Sequence, residues 1–277
     1  MRRLLRLTLT IAVWLIAVSA VASMQVAQPS VLSSQSDLKK LQKRLKQEIR
    51  ALTGASADAG IGKPSVSVVV EAARSGYRLQ TALLERRGAT PVTVSLAVPN
   101  GASAPRSATL LLDSRPVEVT VAPGEYVDLL ANEGSIVMLI GNRAEGSGGT
   151  AIDDARAALA WLRAQRFVNR DVTLHGVGSR GLTALRTAVL DDRYNRLVVE
   201  DVSVSSDFSE LIMATFAKPV AIVNPLSEAG TRMSPDSFAA AFSHVTASEA
   251  NLTSGRFKML RIATLFSPRY QDEARRQ

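Results

Sequence analysis

The spacing of apolar residues changes character several times along the chain. An apolar run from about Leu7 to Ala22 follows Arg2, Arg3 and Arg6 and ends in Ala20-Val21-Ala22. That order of basic, apolar and small residues predicts a secretory signal peptide over 1–22, cleaved after Ala22. An uncleaved anchor is the alternative, for which a run of about 16 residues is marginal. A Ser- and Gln-containing linker with Pro29 leads to Ser36 and Asp37. From there Leu38, Leu41, Leu45, Ile49 and Leu52 share one helical face, opposite Lys39, Lys40, Lys43, Arg44, Lys46 and Arg50. This basic amphipathic helix is expected to pack on the domain or a partner. Contact with a membrane surface through residues 37–52 is the alternative. Residues 54–63 (GASADAGIGK) read as a flexible connector closing an N-terminal segment 23–63, ahead of one domain over 64–277.

From Ser65 the period becomes two. Val66, Val68 and Val70 alternate, as do parts of Tyr77–Glu85 and Val92–Val98, with Gly76, Gly88 and Pro91 between them, predicting antiparallel strands. Ala108–Asp113 is an apolar strand ending in an acid. Tyr126–Asn132 reads as a helix, and Ser135–Gly141 as a strand buried on both faces. Thr150 and Asp153 resemble a capping box before Ile152, Ala155, Ala158, Leu159 and Leu162. Strands at Val172–His175, Leu197–Glu200 and Val220–Asn224 then enclose a helix at Leu182–Leu190. The alternation predicts an α/β domain: a mostly parallel sheet flanked by helices, with antiparallel strands on its N-terminal side.

Composition narrows the chemistry. The 277 residues contain no Cys and two His, so thiolate nucleophiles, disulfides and thiolate zinc sites are excluded and a multi-histidine metal centre is not expected. The net charge of +8 falls to +5 once the leader's three arginines are removed, and it is spread out. Nucleic acid is therefore not an expected partner. The adjacent pairs Asp153-Asp154 and Asp191-Asp192 read as caps or solvent charges, because neighbours in a helix do not face each other. Asp201, Asp207 and Glu210 lack metal-loop spacing. Trp14 falls in the leader and Trp161 on a helix, so no aromatic platform for sugars is expected.

The sharpest local feature is Leu174-His175-Gly176-Val177-Gly178-Ser179-Arg180-Gly181, a glycine turn between a strand and a helix. Gly176, Gly178 and Gly181 spell G-x-G-x-x-G, with Glu200 closing the next strand. In a dinucleotide site such a turn cradles pyrophosphate and the acid holds a ribose. Several strands precede the turn here, which disfavours that remote reading, and no cofactor is expected. The second reading is a nucleophile elbow, a small-x-nucleophile-x-small turn above a sheet. Its surroundings favour it. Residues 122–148 (APGEYVDLLANEGSIVMLIGNRAEGSG), the stretch TAIDDARAALAWLRAQRFVNRDVTLHGVGSRGLTALRTAVLDDR and KPVAIVNPLSEAG resemble, in order, segments of acetyl-xylan-esterase-like α/β-hydrolases of the prolyl-oligopeptidase-like branch. The resemblance spans roughly Tyr77 to Gly230. It implies an exported carboxyl-ester hydrolase acting on acylated carbohydrate.

The same alignment shows departures. Gly178 stands where active members carry Ser, and Val177 blocks a G-x-S-x-G centred on Ser179. Ser227 stands where the acid is expected. Arg143-Ala144-Glu145-Gly146 breaks the usual Arg-Gly, and the stretch between Phe208 and Lys218 leaves no room for a lid. An alternative triad would use Ser179 as nucleophile and His244, placed after the last predicted strand, as base. Asp236 or Glu228 would orient that base, and the helix start at Arg180 and Gly181 would supply oxyanion donors. Each residue also has a plainer role: Ser179 lining a turn, His244 on a helix surface, His175 at a strand end, Asp236 at a helix start. Two functions stay open: a serine esterase, or a non-catalytic protein that binds a small ester or carbohydrate on the same scaffold.

Overall fold

The computed structural model describes residues 31–57, 61–101, 104–141, 148–253 and 262–265. The expected signal peptide, the linker as far as Ser30 and the loop holding Arg143 and Glu145 lie outside the described residues.

Helix α1 (Gln35–Thr53) begins where Ser34 caps it, the Ser34 hydroxyl accepting from the Asp37 amide, and ends as the Gly54 amide donates to Arg50 O. Its apolar stripe is not left for a membrane. Leu38, Leu41, Leu45 and Ile49 are buried in the main core of the domain, and the connector adds Ala55 and Ile61 as buried anchors. Leu52, expected on that stripe, is 80% exposed, because it lies at the helix end where no neighbouring element covers it.

Next come β1 (Ser65–Ala73), β2 (Tyr77–Glu85), β3 (Val92–Pro99) and β4 (Arg106–Asp113). Two short helices, α2 (Val117–Thr120) and α3 (Tyr126–Asn132), lead to β5 (Ile136–Ile140). Helix α4 (Gly148–Ala164), β6 (Val168–Val177), α5 (Arg180–Leu190), β7 (Arg196–Glu200), α6 (Ser206–Ala214) and β8 (Val220–Val223) then alternate. Helices α7 (Pro235–Ala241) and α8 (Ser243–Thr253) precede a last strand, β9 (Ile262–Leu265). The strands form one nine-stranded sheet in the order β1-β2-β3-β5-β4-β6-β7-β8-β9. The pairs β1–β2, β2–β3 and β3–β5 are antiparallel; every pair from β5–β4 onward is parallel. This is the expected class, an α/β domain with antiparallel strands on the N-terminal side.

Continuous apolar runs occupy the sheet centre because both faces are covered there. Leu110, Leu112, Met138 and Leu174 belong to the larger core with α1, α4, α5 and α6. Leu111, Val137, Leu139 and Val177 pack with Val127 and Ala131 of α3 on the opposite face. The outer strand β1 departs from the alternation in its sequence. A register shift between Val68 and Val70 sets Val68 opposite Ala82 but Val70 opposite Thr81, so the two valines take opposite faces. Val68, Val69 and Val70 are 51%, 60% and 59% exposed.

Another correction concerns the aspartate pairs. Asp153, Asp154 and Asp191 are buried, and only Asp192 meets the solvent expectation. Because α4 starts at Gly148, Asp153 lies a full turn inside it rather than capping it. Its carboxylate accepts from the Ser56 amide (3.0 Å) and hydroxyl (2.6 Å), while Arg156 donates to Ser56 O (2.6 Å). Arg156, completely buried, also pairs with Asp153 (3.3 Å) and Asp191 (3.8 Å), and Arg86 binds Asp154 (2.9 Å). These groups fasten the end of α1 to α4 with charges whose mutual pairing offsets their desolvation.

If α1 is integral to the core, Leu45→Ala will destabilise the protein by about 2–5 kcal/mol. Lys43→Gln, on the solvent face, will stay within about 0.5 kcal/mol. Urea denaturation at neutral pH reads both.

Candidate functional site at the carboxyl ends of the parallel strands

Parallel register aligns the carboxyl ends of four strands. Asp113 of β4 pairs across to Val177 of β6, Val177 to Glu200 of β7, and Glu200 to Val223 of β8. The turn after β6 therefore opens on the sheet edge where ligands of open α/β folds bind.

Gly178 is the apex of that turn. Its φ of +59° lies in the left-handed region, which a residue with a β-carbon occupies only with strain. The Gly178 amide donates to Glu200 O (2.9 Å), and its carbonyl accepts from the Gly181 amide (3.0 Å), which locks the reversal. A β-carbon at Gly178 would lie 2.4 Å from Ser114 Oγ, so any side chain there requires that hydroxyl to rotate away. Below the apex, a β-carbon on Gly176 would come within 2.7 Å of Gly181 Cα; these two glycines let the strand and helix cross in contact.

Ser179 follows on the helix side of the apex. It is the N-cap residue of α5 with φ −60° and ψ −21°, exposed, and its hydroxyl does not cap the helix. Arg180, the first residue of α5, is half-buried; burial lowers its pKa, partly countered by the charge of Asp154. His244 sits at the start of α8, between β8 and β9, so it precedes the last strand rather than following it. Its Nε2 is buried with no partner among the described residues, and burial holds its pKa below the ordinary imidazole value. Asp236 is exposed in the first turn of α7, whose cap is Ser234, and Glu228 is exposed in the loop after β8. Among the described residues no hydrogen bond joins Ser179, His244, Asp236 or Glu228 to one another.

The groups the fold does bring together are others. Asp113, buried at the end of β4, holds Arg115 through two guanidinium nitrogens (Nε 3.0 Å, Nη2 2.8 Å) and accepts from the Thr120 hydroxyl (3.2 Å). Arg115 also donates to Glu125 (2.9 Å), and its guanidinium lies 5.4 Å from the Tyr126 ring centroid. The Asp113 hydrogen bonds, foremost, raise the Arg115 pKa further. Tyr126 donates its hydroxyl to Glu200, and His175 Nε2 lies 3.4 Å from the same carboxylate, off hydrogen-bond alignment, with its ring edge-on to Tyr126.

Burial is the largest single influence on Glu200 and would raise its pKa. The contacts from His175 and Tyr126 and the charge of Arg115 outweigh it and leave the value lowered. Next to it, Asp201 is raised, by burial first and by the Glu200 charge second. Asp201 (φ +51°) and Asn224 (φ +47°) both leave their strands in the left-handed region. The Asn224 Nδ2 is buried without a partner among the described residues. A Glu200 so engaged is not presented to a ribose, which removes the acid that the G-x-G-x-x-G reading requires. No grouping of three metal-ligating side chains occurs among the described residues.

The sequence did carry a signal for this cluster. Two apolar strands, ATLLLD and LVVE, each close on an acid, and parallel pairing through β6 places both acids at one edge.

The fold is that of the α/β-hydrolases. A candidate acetyl xylan esterase of Bacteroides fragilis NCTC 9343 superposes with a TM-score of 0.65 at 14% identity, over 85% of this chain and 78% of its own. A methylesterase gives 0.62 at 14%, over 88% and 64% respectively. A glucuronoyl esterase from Solibacter usitatus gives 0.57 at 12%, over 86% and 93%. At these identities the likeness is one of fold. No protein-family model and no curated protein matches the chain.

Two outcomes follow from this geometry. Gly178→Ala will cost about 1–2 kcal/mol from the left-handed backbone alone. The total will be smaller in a Ser114→Gly background, where the clashing hydroxyl is gone; a double-mutant cycle in urea measures the difference. Glu200 titrates lower in the folded than in the unfolded chain. Its stabilisation is therefore complete above the unfolded carboxylate value and is lost as pH falls through the lower folded one. Glu200→Gln will flatten that part of the stability-versus-pH curve. It will also bring Asp201, which is shifted upward and acts with the opposite sign, back toward its ordinary value, because the Glu200 charge is part of that shift.

Proposed function

We propose that this chain is an exported protein that keeps the α/β-hydrolase scaffold and binds a small carbohydrate or carbohydrate ester at the carboxyl edge of its sheet without cleaving it. One observation carries the reading: Gly178, which has no side chain, occupies the left-handed apex where a nucleophile would stand.

The chemistry of ester cleavage explains the weight of that observation. A hydroxyl attacks a carbonyl only when a base within about 3 Å removes its proton and a third group orients the base. Ser179 has a hydroxyl but lies past the apex with no imidazole bonded to it. The imidazole of His175 is committed below the turn, where its Nε2 faces Glu200. That of His244 lies half-buried on α8 with its Nε2 enclosed, in no hydrogen bond to Ser179 among the described residues.

Binding makes smaller demands. The edge offers Arg115 and Glu125, already paired, the charge of Asp201 and the ring of Tyr126, a set suited to a hydroxylated ligand with little charge of its own. The names of the structural neighbours, acetyl xylan and glucuronoyl esterases, belong to that chemistry. Export rests on the leader pattern of residues 1–22. No helix among the described residues is long and apolar enough to cross a membrane.

The test is enzymatic. Folded protein is expected neither to turn over p-nitrophenyl acetate above the buffer rate nor to react with a fluorophosphonate probe. Turnover or labelling that disappears in Ser179→Ala, with the circular dichroism unchanged, would establish a serine esterase instead.

A further inference from the structure

The structure assigns a second binding surface, a carbohydrate groove at the opposite edge of the sheet from Gly178. It is an open cleft of about 740 Å³ between the last turn of α4 and the outer strands β1, β2 and β3. That volume lies inside the roughly 300–1,000 Å³ range of small-ligand sites. β6 locates it: Phe167, on the cleft, immediately precedes that strand and Gly178 immediately follows it. Measured along the partner strand, which spans Arg106–Asp113 beside Val168–Val177, the two ends lie on the order of 25 Å apart.

The lining has the two components that recognise a sugar. Trp161 and Phe167 form an edge-to-face pair, centroids 6.1 Å apart, along one side; Trp161 is only partly buried and Phe167 is exposed. Leu96 and Val98 form the floor. Register sets Gln80 beside Leu96 and Arg78 beside Val98, so both polar side chains rise from the same face as the apolar floor. Such a surface meets the C–H face of a pyranose with aromatic carbon and its hydroxyl rim with planar donors.

The polar groups are already oriented. Gln80 Nε2 donates to Glu71 (2.5 Å) and Arg78 pairs with the other oxygen of that carboxylate (3.7 Å). Pre-ordering of this kind reduces the entropy lost on binding. It also neutralises the charge of Arg78, so the groove suits a neutral polyhydroxylated ligand over an anion. Two donors stay open at its ends: neither the Trp161 indole N–H nor the Asn100 side-chain amide has a hydrogen-bond partner among the described residues. The sequence alone offers no aromatic platform, and the edge-to-face geometry of the pair leaves single ring faces rather than a shared one. Trp161 is alone on its helix, but folding sets Phe167 and three polar side chains around it. The site is independent of whether the elbow cleaves esters.

The chain has two tryptophans, Trp14 and Trp161, so in full-length Trp14→Phe protein the emission reports on the groove alone. Titration with cellohexaose, xylohexaose and maltohexaose is expected to give a saturable change in that emission with at least one of them. Phe167→Ala or Arg78→Ala should weaken binding at least five-fold, with the far-ultraviolet circular dichroism unchanged. The proposal is overturned if none of the three sugars alters the emission at millimolar concentration. It is also overturned if the response survives both substitutions undiminished. A sugar-insensitive protein that sediments as a dimer, and as a monomer once Val68→Lys is introduced, would assign the surface to a second copy and overturn it equally.

Discussion

One backbone reversal governs what this sheet edge can do. The parallel register that seats Val177 between Asp113 and Glu200 brings β6 to the edge of a buried sheet, and the chain must turn at once into α5. The Gly178 amide is spent on Glu200 O and its carbonyl on the Gly181 amide, so the turn is pinned to the neighbouring strand and to the helix together. Those bonds require the left-handed apex whatever residue stands there. A serine at this point would carry the strain of that conformation as part of its function; glycine carries none. The Ser114 hydroxyl is the atom that a side chain at this apex would meet first, and with glycine there the turn is free of backbone strain.

The same register explains the polar cluster beneath and beside the turn. Asp113 and Glu200 end the two parallel strands that flank β6, each a buried carboxylate that needs a partner. Arg115 takes up the first together with Glu125, and Tyr126 and His175 take up the second. The second charged cluster, around Arg156, does different work. It lies at the junction of α1 and α4, where a β-carbon on Gly149 would stand 2.1 Å from Thr53 O, and it secures an N-terminal helix that would otherwise be an appendage.

Much of the architecture was legible in the sequence because period and punctuation agreed. The helix Tyr126–Asn132 has the bounds its pattern gives, and the alternation after Ala108 is the alternation of the sheet. What the sequence could not supply was partnership. Asp154 and Asp191 look like surface charges until Arg86 reaches the first from 68 residues away and Arg156 comes across from α4 to the second, while Asp153 is buried against Ser56 and its own helix's Arg156. The alternating valines of β1 look half-buried until a bulge and an open sheet edge leave them in solvent. β9 was missed because four residues carry too little pattern, and with it the true position of His244 in chain order. The glycine turn was readable for the opposite reason: its meaning is local, and positive φ, tight crossing and helix start all follow from residues within six positions of one another.

The costs that the edge does not resolve internally are the most informative about its use. Asp113, Arg115, Glu125 and Glu200 are all paired, yet Asp201 keeps a carboxyl whose ionisation is opposed by burial and by Glu200, and Asn224 keeps a buried amide with no acceptor among the described residues. Both sit in left-handed backbone at the ends of adjacent strands, which adds strain to each. Asp201 is half-exposed and has the favourable charges of Arg232 and Arg115 near it, whereas a buried amide without a partner, as at Asn224, is rare in folded proteins and calls for a physical reason. If the site performed hydrolysis, such poised groups would be expected around the nucleophile and its base, as parts of one proton path. They stand instead one and two strands away from an apex that has no side chain. A ligand held by its hydroxyls would give Asp201 donors to accept from and Asn224 an oxygen to donate to, relieving both costs with no bond broken.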